Sequence, residues 1–536
     1  MHYSFQTMRY VLTLLLLAVN LLVVSAETFA ERYYSKQDSL KAAFPYSYIP
    51  PVAFPQLPDS IDVKRLEHKA FWRAAAETVG LNLTLGIFDR YVLKGKYAKI
   101  SWHSIKENFK HGFVWDNDAL DDNLFGHPYN GSFYYNAGRS NGYNFWQSSL
   151  FALWGSAQWE LFMENTYPSI NDIIATPIGG AAYGEVLYRT SDLLLDDRTT
   201  GGERFGREAA AFLIDPMRGF TRIVTGRAWA RRTTSGRRFG IPPARVSVSL
   251  GSRMLLFHDD RNYTRAGFTA RVQVEYGDKF AERSISPYDY FTFLADFDIM
   301  KTQPVVSKVE IIGRLLSKEI YDNPTSHISV GMFQHYDYMD SDTISSSPVH
   351  NILSECLVPY KLGVPASVGG GLTARHTQSP AWQIEGSLHV NAIALGGILT
   401  DFYRNSKRNY NWGSGFSIKA GCHWFNRKLG LNLGANLRFF QLYTIKGGSL
   451  NYEDYIEILN PNIQGDKSNA YFLNLNVHCN CRLWRELYAT AVFDWYKRRS
   501  HYLHLDVKEE AILYRNKGPV FTSQQIGLKL MLTYNI

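Results

Sequence analysis

A period-two alternation of apolar and polar residues recurs along the C-terminal half of the chain and constrains its fold more than any other feature. From Phe268 to Tyr276, every second residue is apolar and the residues between are polar. This period places all the apolar side chains on one face of a β-strand. About twelve such segments follow Arg245, each long enough to cross an outer membrane at the usual tilt. They lie near residues 245–257, 266–277, 288–300, 305–318, 326–338, 356–374, 382–396, 411–424, 429–444, 470–483, 486–498 and 523–536.

The connections between these segments alternate in length. Long ones occur at residues 500–522 and 445–470, with tight ones near 483–486 and 426–428. Outer-membrane barrels alternate long outer loops with short periplasmic turns. We therefore predict a membrane all-β fold, an antiparallel transmembrane β-barrel of about 12 strands, with an N-terminal α-helical domain. A soluble β-sandwich is the alternative, but its strands are shorter and its loops lack this alternation.

Composition and charge agree with a barrel. Mean hydropathy is −0.23 and aromatic residues make up 15% of the chain, which is typical of strands with one apolar face and aromatic girdles. The net charge is +8, without a basic run of the kind that binds nucleic acid, so nucleic acid is excluded as a partner. The expected partners are outer-membrane lipid, lipopolysaccharide and the barrel-assembly machinery. The last segment, Ile526–Ile536, has the form of a barrel-insertion signal, although such signals usually end in Phe.

The segments before the barrel predict an exported protein of the cell outer membrane. Residues 1–26 read as a signal peptide, with an apolar run followed by Val24-Ser25-Ala26. Residues 27–62 are a Pro/Tyr-rich extended linker, residues 63–240 a helical domain, and residues 241–536 the barrel. We expect the helical domain to lie in the periplasm or in the barrel lumen.

The helical domain contains the only concentrated group of candidate catalytic residues. His127 is predicted in a rigid turn, and Glu160 and Glu164 lie one helical turn apart. Asp172 follows Ser169 in the pattern of a helix cap. An imidazole with converging carboxylates suits general acid/base hydrolysis or a metal site. The ordinary alternatives are a turn histidine and a cap acid, and because no metal-ligand spacing occurs we predict neither a metal nor a cofactor.

Further polar residues of this domain are candidates for binding. Glu185 can instead form a helix-stabilising pair with Arg189. Arg218 and Arg222 belong to the densest basic stretch, which either holds lipid phosphates or is solvated. The candidate binding residues are Asn141, Asn144, Asn171, Thr176, Glu185, Arg189, Arg218 and Arg222.

Several motifs of the helical domain resemble a known family. They include His127-Pro128-Tyr129-Asn130-Gly131, Pro168-Ser169-Ile170-Asn171-Asp172 and Asp215-Pro216-Met217-Arg218-Gly219-Phe220. Over about residues 115–225 the chain resembles domain-of-unknown-function family 3943 of Gram-negative envelope proteins. The resemblance implies an exported envelope protein and names no activity. Trp115-Asp116-Asn117-Asp118 is also similar to the acidic-amide motif of outer-membrane lipid A deacylases, but the wall His and Ser of such hydrolases cannot be assigned in this sequence.

Three functional hypotheses follow from the sequence. The favoured one is a non-enzymatic barrel, either a pore or an envelope-organising protein, with a helical plug or periplasmic domain. The second is an outer-membrane lipid-modifying hydrolase, similar to a lipid A deacylase or phospholipase. The third is a surface adhesin that binds through its long outer loops.

Overall fold

A computed structural model describes residues 68–257, 263–300, 303–341, 344–345, 356–379, 381–401, 408–447, 464–503 and 520–536. The predicted signal peptide and the whole predicted linker lie outside these residues. The described part contains seven α-helices, joined in places by short π-helical turns at Asp122–Gly126 and Trp159–Met163. The helices are α1 (Phe71–Tyr91), α2 (Trp102–His111), α3 (His127–Ser140), α4 (Phe145–Gln158), α5 (Ile170–Leu194), α6 (Gly201–Ile214) and α7 (Pro216–Val224).

The helix ends follow local sequence, with two corrections to our expectations. α4 begins with a capping box in which Asn144 and Gln147 bond each other's backbone. His127 is not in a turn, because Pro128 sits in the first turn of α3, where its missing N–H costs nothing. Ser169 occupies the N-cap position of α5, but its side chain makes no capping bond. None of the described helices has both the length and the apolar character needed to cross a membrane.

All twelve predicted strands are present. Each strand pairs antiparallel with the next one in sequence, and the last pairs with the first, so the sheet closes into a barrel. The predicted fold, a closed antiparallel barrel preceded by a helical domain, is confirmed. The strands are β1 (Ala244–Phe257), β2 (Tyr263–Tyr276), β3 (Phe291–Ile299), β4 (Val306–Asp322), β5 (Ser326–Asp340), β6 (Lys361–Ser379), β7 (Trp382–Leu399), β8 (Tyr410–Asn426), β9 (Leu431–Thr444), β10 (Ser468–Trp484), β11 (Leu487–Tyr502) and β12 (Val520–Asn535).

The two ends of the barrel differ. The short-turn end carries both termini of the barrel and the connections 323–325, 427–430 and 485–486. The long-loop end carries the connections 341–360, 400–409, 445–467 and 503–519. The predicted alternation holds from β4 onward. It fails before β4, where the connections 258–262 and 300–305 at the long-loop end are short and the segment 277–290 at the short-turn end is long.

The lumen contains ion pairs and hydrogen bonds, most of which join strands that are not neighbours. Asp337 on β5 accepts a bond from the Lys419 ammonium on β8 at 2.6 Å. Lys308 on β4 donates to the Asn474 amide oxygen on β10 at 3.2 Å, on the opposite side of the barrel. These side chains can meet only inside the barrel, so the polar face of each strand points into the lumen. Further lumen pairs are Glu310 with Arg438, Asp296 with Arg271 and Lys529, and Asp298 with Arg253.

Both ends of the described lumen are filled by protein. Toward the long-loop end, an apolar cluster fills it, formed by Met339, Tyr360, Leu362, Val364, Ile393, Phe440, Leu442, Phe472 and Tyr496 with their neighbours. At the short-turn end, the start of the segment 277–290 enters the mouth, where Lys279 reaches Glu385 on β7 at 3.0 Å. Arg314 on β4 holds Asp289 of the same segment at 2.7 Å.

The helical domain packs on the outward face of the barrel wall. On β5, Asp337 points into the lumen, so its neighbours Tyr336 and Tyr338 point outward, because successive side chains of a strand alternate. Tyr336 donates a hydrogen bond to the backbone oxygen of Leu124, and Phe125 packs on the Tyr338 ring at 5.5 Å. The expectation that the helices fill the lumen is therefore wrong for the described residues.

One helix runs along the wall from end to end. At the start of α5, Asn171 accepts a bond from the Asp116 backbone at 3.1 Å, and the Asp116 backbone oxygen accepts one from Arg408 in the connection before β8. At the end of α5, Arg189 bonds the Ser286 hydroxyl and the Pro287 carbonyl in the segment 277–290. The 25 residues of α5 extend about 37 Å, so this helix connects the long-loop end to the short-turn end.

Candidate functional site

The four predicted catalytic residues converge at the start of α5. His127 opens α3, Glu160 lies in the π-helical turn after α4, Glu164 follows that turn, and Asp172 lies in the first turn of α5. His127 Nε2 lies 3.7 Å from Asp172 Oδ1. We call these four residues together with Asp116 the acidic cluster.

Backbone and side-chain donors hold the carboxylates of the acidic cluster. Glu160 Oε2 accepts a bond from the Ser169 backbone at 2.7 Å. Glu164 accepts from the Trp159 indole at 2.6 Å and from the Thr166 hydroxyl at 2.8 Å. Backbone, indole and hydroxyl groups thus fix Glu160 and Glu164.

The pKa values of two of these carboxyl groups are raised. Burial raises the pKa of Glu160 well above its usual value, and nearby Glu164 and Asp116 raise it further. Burial also raises the pKa of Asp172, with Asp116 and Glu160 adding to the effect. Glu160 and Asp172 are each 2% exposed, whereas the His127 side chain is 20% exposed. The acidic cluster thus brings buried carboxyl groups of raised pKa next to one partly exposed imidazole, a combination that suits general acid/base chemistry.

Asp116 and its barrel partners were missed as site residues. Asp116 Oδ1 accepts bonds from Asn123 at 2.5 Å and from the Asp118 backbone at 3.2 Å. Asn123 also donates to the Tyr410 hydroxyl on β8 at 2.8 Å. The Trp-Asp-Asn-Asp motif was the available signal for Asp116. Nothing in the sequence could connect Asn123 to a residue 287 positions later.

The acidic cluster is not a compact metal-ligand set. Among the described residues, one group brings three ligand atoms of His, Cys, Asp or Glu within 4.8 Å of one another, and it lies elsewhere: Glu319, Asp322 and His327. These residues join β4 and β5 at the short-turn end. His327 Nδ1 lies 2.7 Å from Asp322 Oδ1 and 3.0 Å from Glu319 Oε1, distances that an ordinary histidine–carboxylate pair explains.

Glu185 and Arg189 form the predicted pair, at 2.7 Å. Glu185 also accepts a bond from Arg139 at 2.6 Å and one from the Tyr135 hydroxyl at 2.7 Å. Burial raises the pKa of Glu185, but Arg139 and Arg189 outweigh it and lower the pKa to about 2. Both oxygens of the buried Glu185 carboxylate are therefore already bonded. Together these residues join α3, α5 and the segment 277–290.

The remaining predicted binding residues serve the interior. Asn141 donates to the buried carboxylate of Glu77 at 2.6 Å, and Thr176 lies against Gly131 of α3. Asn144 is the cap of α4, and Asn171 bonds Asp172 at 2.9 Å. Arg218 pairs with Asp192, and Arg222 with Asp197 and Glu208. Both arginines are 5% exposed, so they are neither solvated nor open to lipid phosphates.

Comparison with known protein families finds a match in the region that contains the acidic cluster. Residues 112–217 match the family model described as Domain of unknown function (DUF3943). Every residue of the acidic cluster lies within this DUF3943 segment, and so does the Glu185 group apart from its barrel partners. The expected resemblance is confirmed. No curated protein matches the chain.

Solved structures similar to the chain include the outer membrane channel DcaP of Acinetobacter baumannii, at 7% identity, covering 55% of this chain and 96% of that one with a TM-score of 0.20. The Ralstonia pickettii toluene transporter TbuX has 8% identity, coverage of 55% and 89%, and a TM-score of 0.19. OmpT of Vibrio cholerae has 6% identity, coverage of 55% and 99%, and a TM-score of 0.23.

Proposed function

We propose that the protein is a non-conducting outer-membrane barrel that organises the envelope by holding the DUF3943 segment against its outward wall. The observation that carries this proposal is the filled lumen. Ion pairs such as Asp337 with Lys419 cross it, an apolar cluster occupies it toward the long-loop end, and Lys279 reaches Glu385 at the other mouth. An open pore requires a continuous water-filled path, so the envelope-organising alternative fits better than the pore.

The outward face of the wall supports an outer-membrane location. Large apolar side chains such as Leu250, Leu437 and Leu532 are 40–55% exposed there, and the strands alternate them with lumen-facing polar residues. Outer-membrane lipid and lipopolysaccharide are the proposed surroundings of this face. The proposed insertion partner is the barrel-assembly machinery, acting on β12, which runs to Asn535 at the short-turn end.

Two measurements on the full chain, extracted from membranes, test this proposal. We expect heat-modifiable gel mobility, because a closed barrel resists detergent until heated. In planar bilayers we expect no unitary conductance from the same preparation. Stable conductance steps from heat-modifiable protein would contradict the proposed non-conducting barrel and would support the pore instead. Recovery in the soluble fraction without a mobility shift would contradict the membrane location itself.

A second candidate function, a lipid-modifying hydrolase, is favoured by one observation. The 3.7 Å approach of His127 to Asp172 brings a partly exposed imidazole to a buried carboxyl group whose pKa is raised. In such a hydrolase, His127 would accept a proton from water or a hydroxyl, and Asp172 would orient the ring. A candidate nucleophile next to His127 is missing from the described contacts, so this function ranks second.

The hydrolase is tested by comparing lipid profiles of membranes that carry different variants. His127→Ala should alter the profile of phospholipid or lipid A as much as gene deletion does. His103→Ala is the control, since His103 is exposed on α2 away from the acidic cluster. Identical profiles in the deletion strain and its parent would eliminate the hydrolase.

The adhesin hypothesis concerns long loops whose residues 448–463 and 504–519 lie outside the described part of the chain.

A further inference from the structure

Helix α1 buries polar side chains and exposes apolar ones, which is the reverse of the usual pattern of a water-soluble helix. Its buried side carries Glu77, Thr78 and Asn82, and its outer side carries Leu83 and Ile87, which are 52% and 59% exposed. The buried polar groups are bonded: Asn82 donates to the Gly155 carbonyl of α4 at 3.1 Å. Polar and small residues between helices, with apolar residues outside, are typical of helix packing in lipid.

Helix α4 presents a second apolar outer face. Trp146, Leu150, Leu153 and Trp154 lie on one side of the helix and are 36–65% exposed. The opposite side is buried and includes Ser148, Gly155 and Ser156. The sequence of α4, FWQSSLFALWGSAQ, has no charged residue. A soluble domain rarely exposes so large a contiguous apolar surface, which identifies α4 as a site of interaction.

The helices of the domain pack at the close distances that small residues allow. A Cβ on Gly131 of α3 would lie 2.0 Å from the Thr176 carbonyl of α5, and one on Gly180 would lie 2.5 Å from the Gly131 backbone. Thr176, Gly180 and Gly184 follow at intervals of four residues along α5. Such spacing lets helix backbones approach closely where water does not drive their association.

The position of the domain indicates what covers these faces. α5 packs on β4 to β7 and runs from the long-loop end of the barrel to the short-turn end, while α1 packs on α3 and α4. On the same strands, outward residues beyond the helices are exposed and apolar, including Val330 and Met332 of β5 and Leu388 and Val390 of β7. The apolar faces of α1 and α4 therefore lie beside the barrel at the height of its own lipid-facing surface.

We propose that the helical domain lies in the outer membrane beside the barrel, with the exposed faces of α1 and α4 against lipid acyl chains. This inference rests on the proposed outer-membrane location of the barrel. It replaces the predicted periplasmic domain with one that shares the bilayer. The charged end of the domain, where Arg204 and Arg222 pair with Asp197 and Glu208, lies next to the end of α5 toward the short-turn end of the barrel.

The test uses a full-length chain in which Cys356, Cys422, Cys479 and Cys481 are replaced by Ala. A single cysteine is then introduced and labelled with an environment-sensitive fluorophore, and the protein is folded into phosphatidylcholine vesicles with or without doxyl-labelled lipid. Leu150→Cys reports on α4 and Leu83→Cys on α1. Leu437→Cys on the outward wall is the lipid-exposed control, and Lys428→Cys in the exposed turn between β8 and β9 is the aqueous control.

We expect doxyl lipid to quench the label at Leu150 and at Leu83 as strongly as at Leu437, and to leave Lys428 unquenched. Quenching at Leu437 but at neither helix position would overturn the inference while leaving the membrane location intact. If cross-linking at Leu150 then yields dimers, a second copy of the chain covers the face instead. Absence of quenching at Leu437 as well would contradict both the inference and the proposed location.

Discussion

Tyr336 and Asp337 are consecutive residues of β5 whose side chains bind different parts of the molecule. The Tyr336 hydroxyl donates to the Leu124 backbone of the helical domain outside the barrel, and Asp337 accepts a bond from Lys419 at 2.6 Å inside it. Tyr336 therefore attaches the helical domain to the outside of the wall, while Asp337 belongs to the ion pairs that join strands inside the lumen. Changes to the lumen and changes to the docking surface should therefore have separable effects.

Removing one partner of a lumen ion pair should destabilise the barrel. Lys419→Met leaves the Asp337 carboxylate buried without its cation, which costs about 3–5 kcal/mol. The double variant Asp337→Asn with Lys419→Met removes both charges and should recover part of this loss. Urea unfolding of detergent-folded protein, followed by tryptophan fluorescence, measures both. Equal stability of the single and double variants would contradict a direct pair.

The contact between α3 and α5 should not tolerate a methyl group. In Gly131→Ala the new Cβ would lie 2.0 Å from the Thr176 carbonyl, so the two helices must separate. We expect a lower thermal midpoint of the helical circular dichroism signal. Gly202→Ala in α6 is the matched control, since its Cβ meets nothing within 4 Å. That change should be neutral or stabilising by up to about 1 kcal/mol, because alanine favours helix.

The attachment of the helical domain to the wall should depend on Gly363 of β6. A Cβ there would lie 2.6 Å from Leu124, so Gly363→Ala should loosen the domain. Gly370→Ala, on the same strand and face with nothing within 4 Å, is the control. We expect faster tryptic cleavage of the helices in Gly363→Ala, with heat-modifiable barrel mobility retained in both variants. Equal cleavage of the two would argue against this contact as the attachment.

The stability of the helical domain should fall as pH rises from about 4.5 to 7. Burial raises the pKa of Glu77 from 4.5 to about 7, although bonds from Thr221 and Asn141 act in the opposite direction. The folded state therefore holds a proton that the unfolded state has released, and stability declines through this window. Asp215, whose pKa burial raises to about 7, adds to the decline.

Glu77→Gln tests this pH dependence because glutamine can still accept the bonds from Asn141 and Thr221. We expect a shallower fall of the domain's thermal midpoint between pH 4.5 and 7 and a higher midpoint than wild type at pH 8. Glu107→Gln, on the partly exposed side chain that pairs with Lys110, is the control and should leave the profile unchanged. If the thermal midpoint of Glu77→Gln varied with pH in the same way as that of wild type, Glu77 would not be the cause of the pH dependence.

Much of the barrel was determined by local sequence. The alternation from Phe268 to Tyr276 specifies a strand and its two faces, because a one-residue slip would expose every apolar group to the polar lumen. Repeated twelve times with turns of matching length, it leaves closure as the way to pair the edges. The pair of Glu185 with Arg189 was likewise predictable from their four-residue separation.

The location of the helical domain and the place of Asp116 in the acidic cluster were decided by tertiary structure. An apolar outward residue such as Trp412 looks the same in sequence whether it faces lipid or, as here, packs near Trp115 at 5.8 Å. The ion pairs in the lumen could not be predicted from the sequence either. Asp337 meets Lys419 only because closure brings β5 and β8 to face each other. Periodicity encodes which face of a strand is apolar, and only the packed chain determines what covers that face.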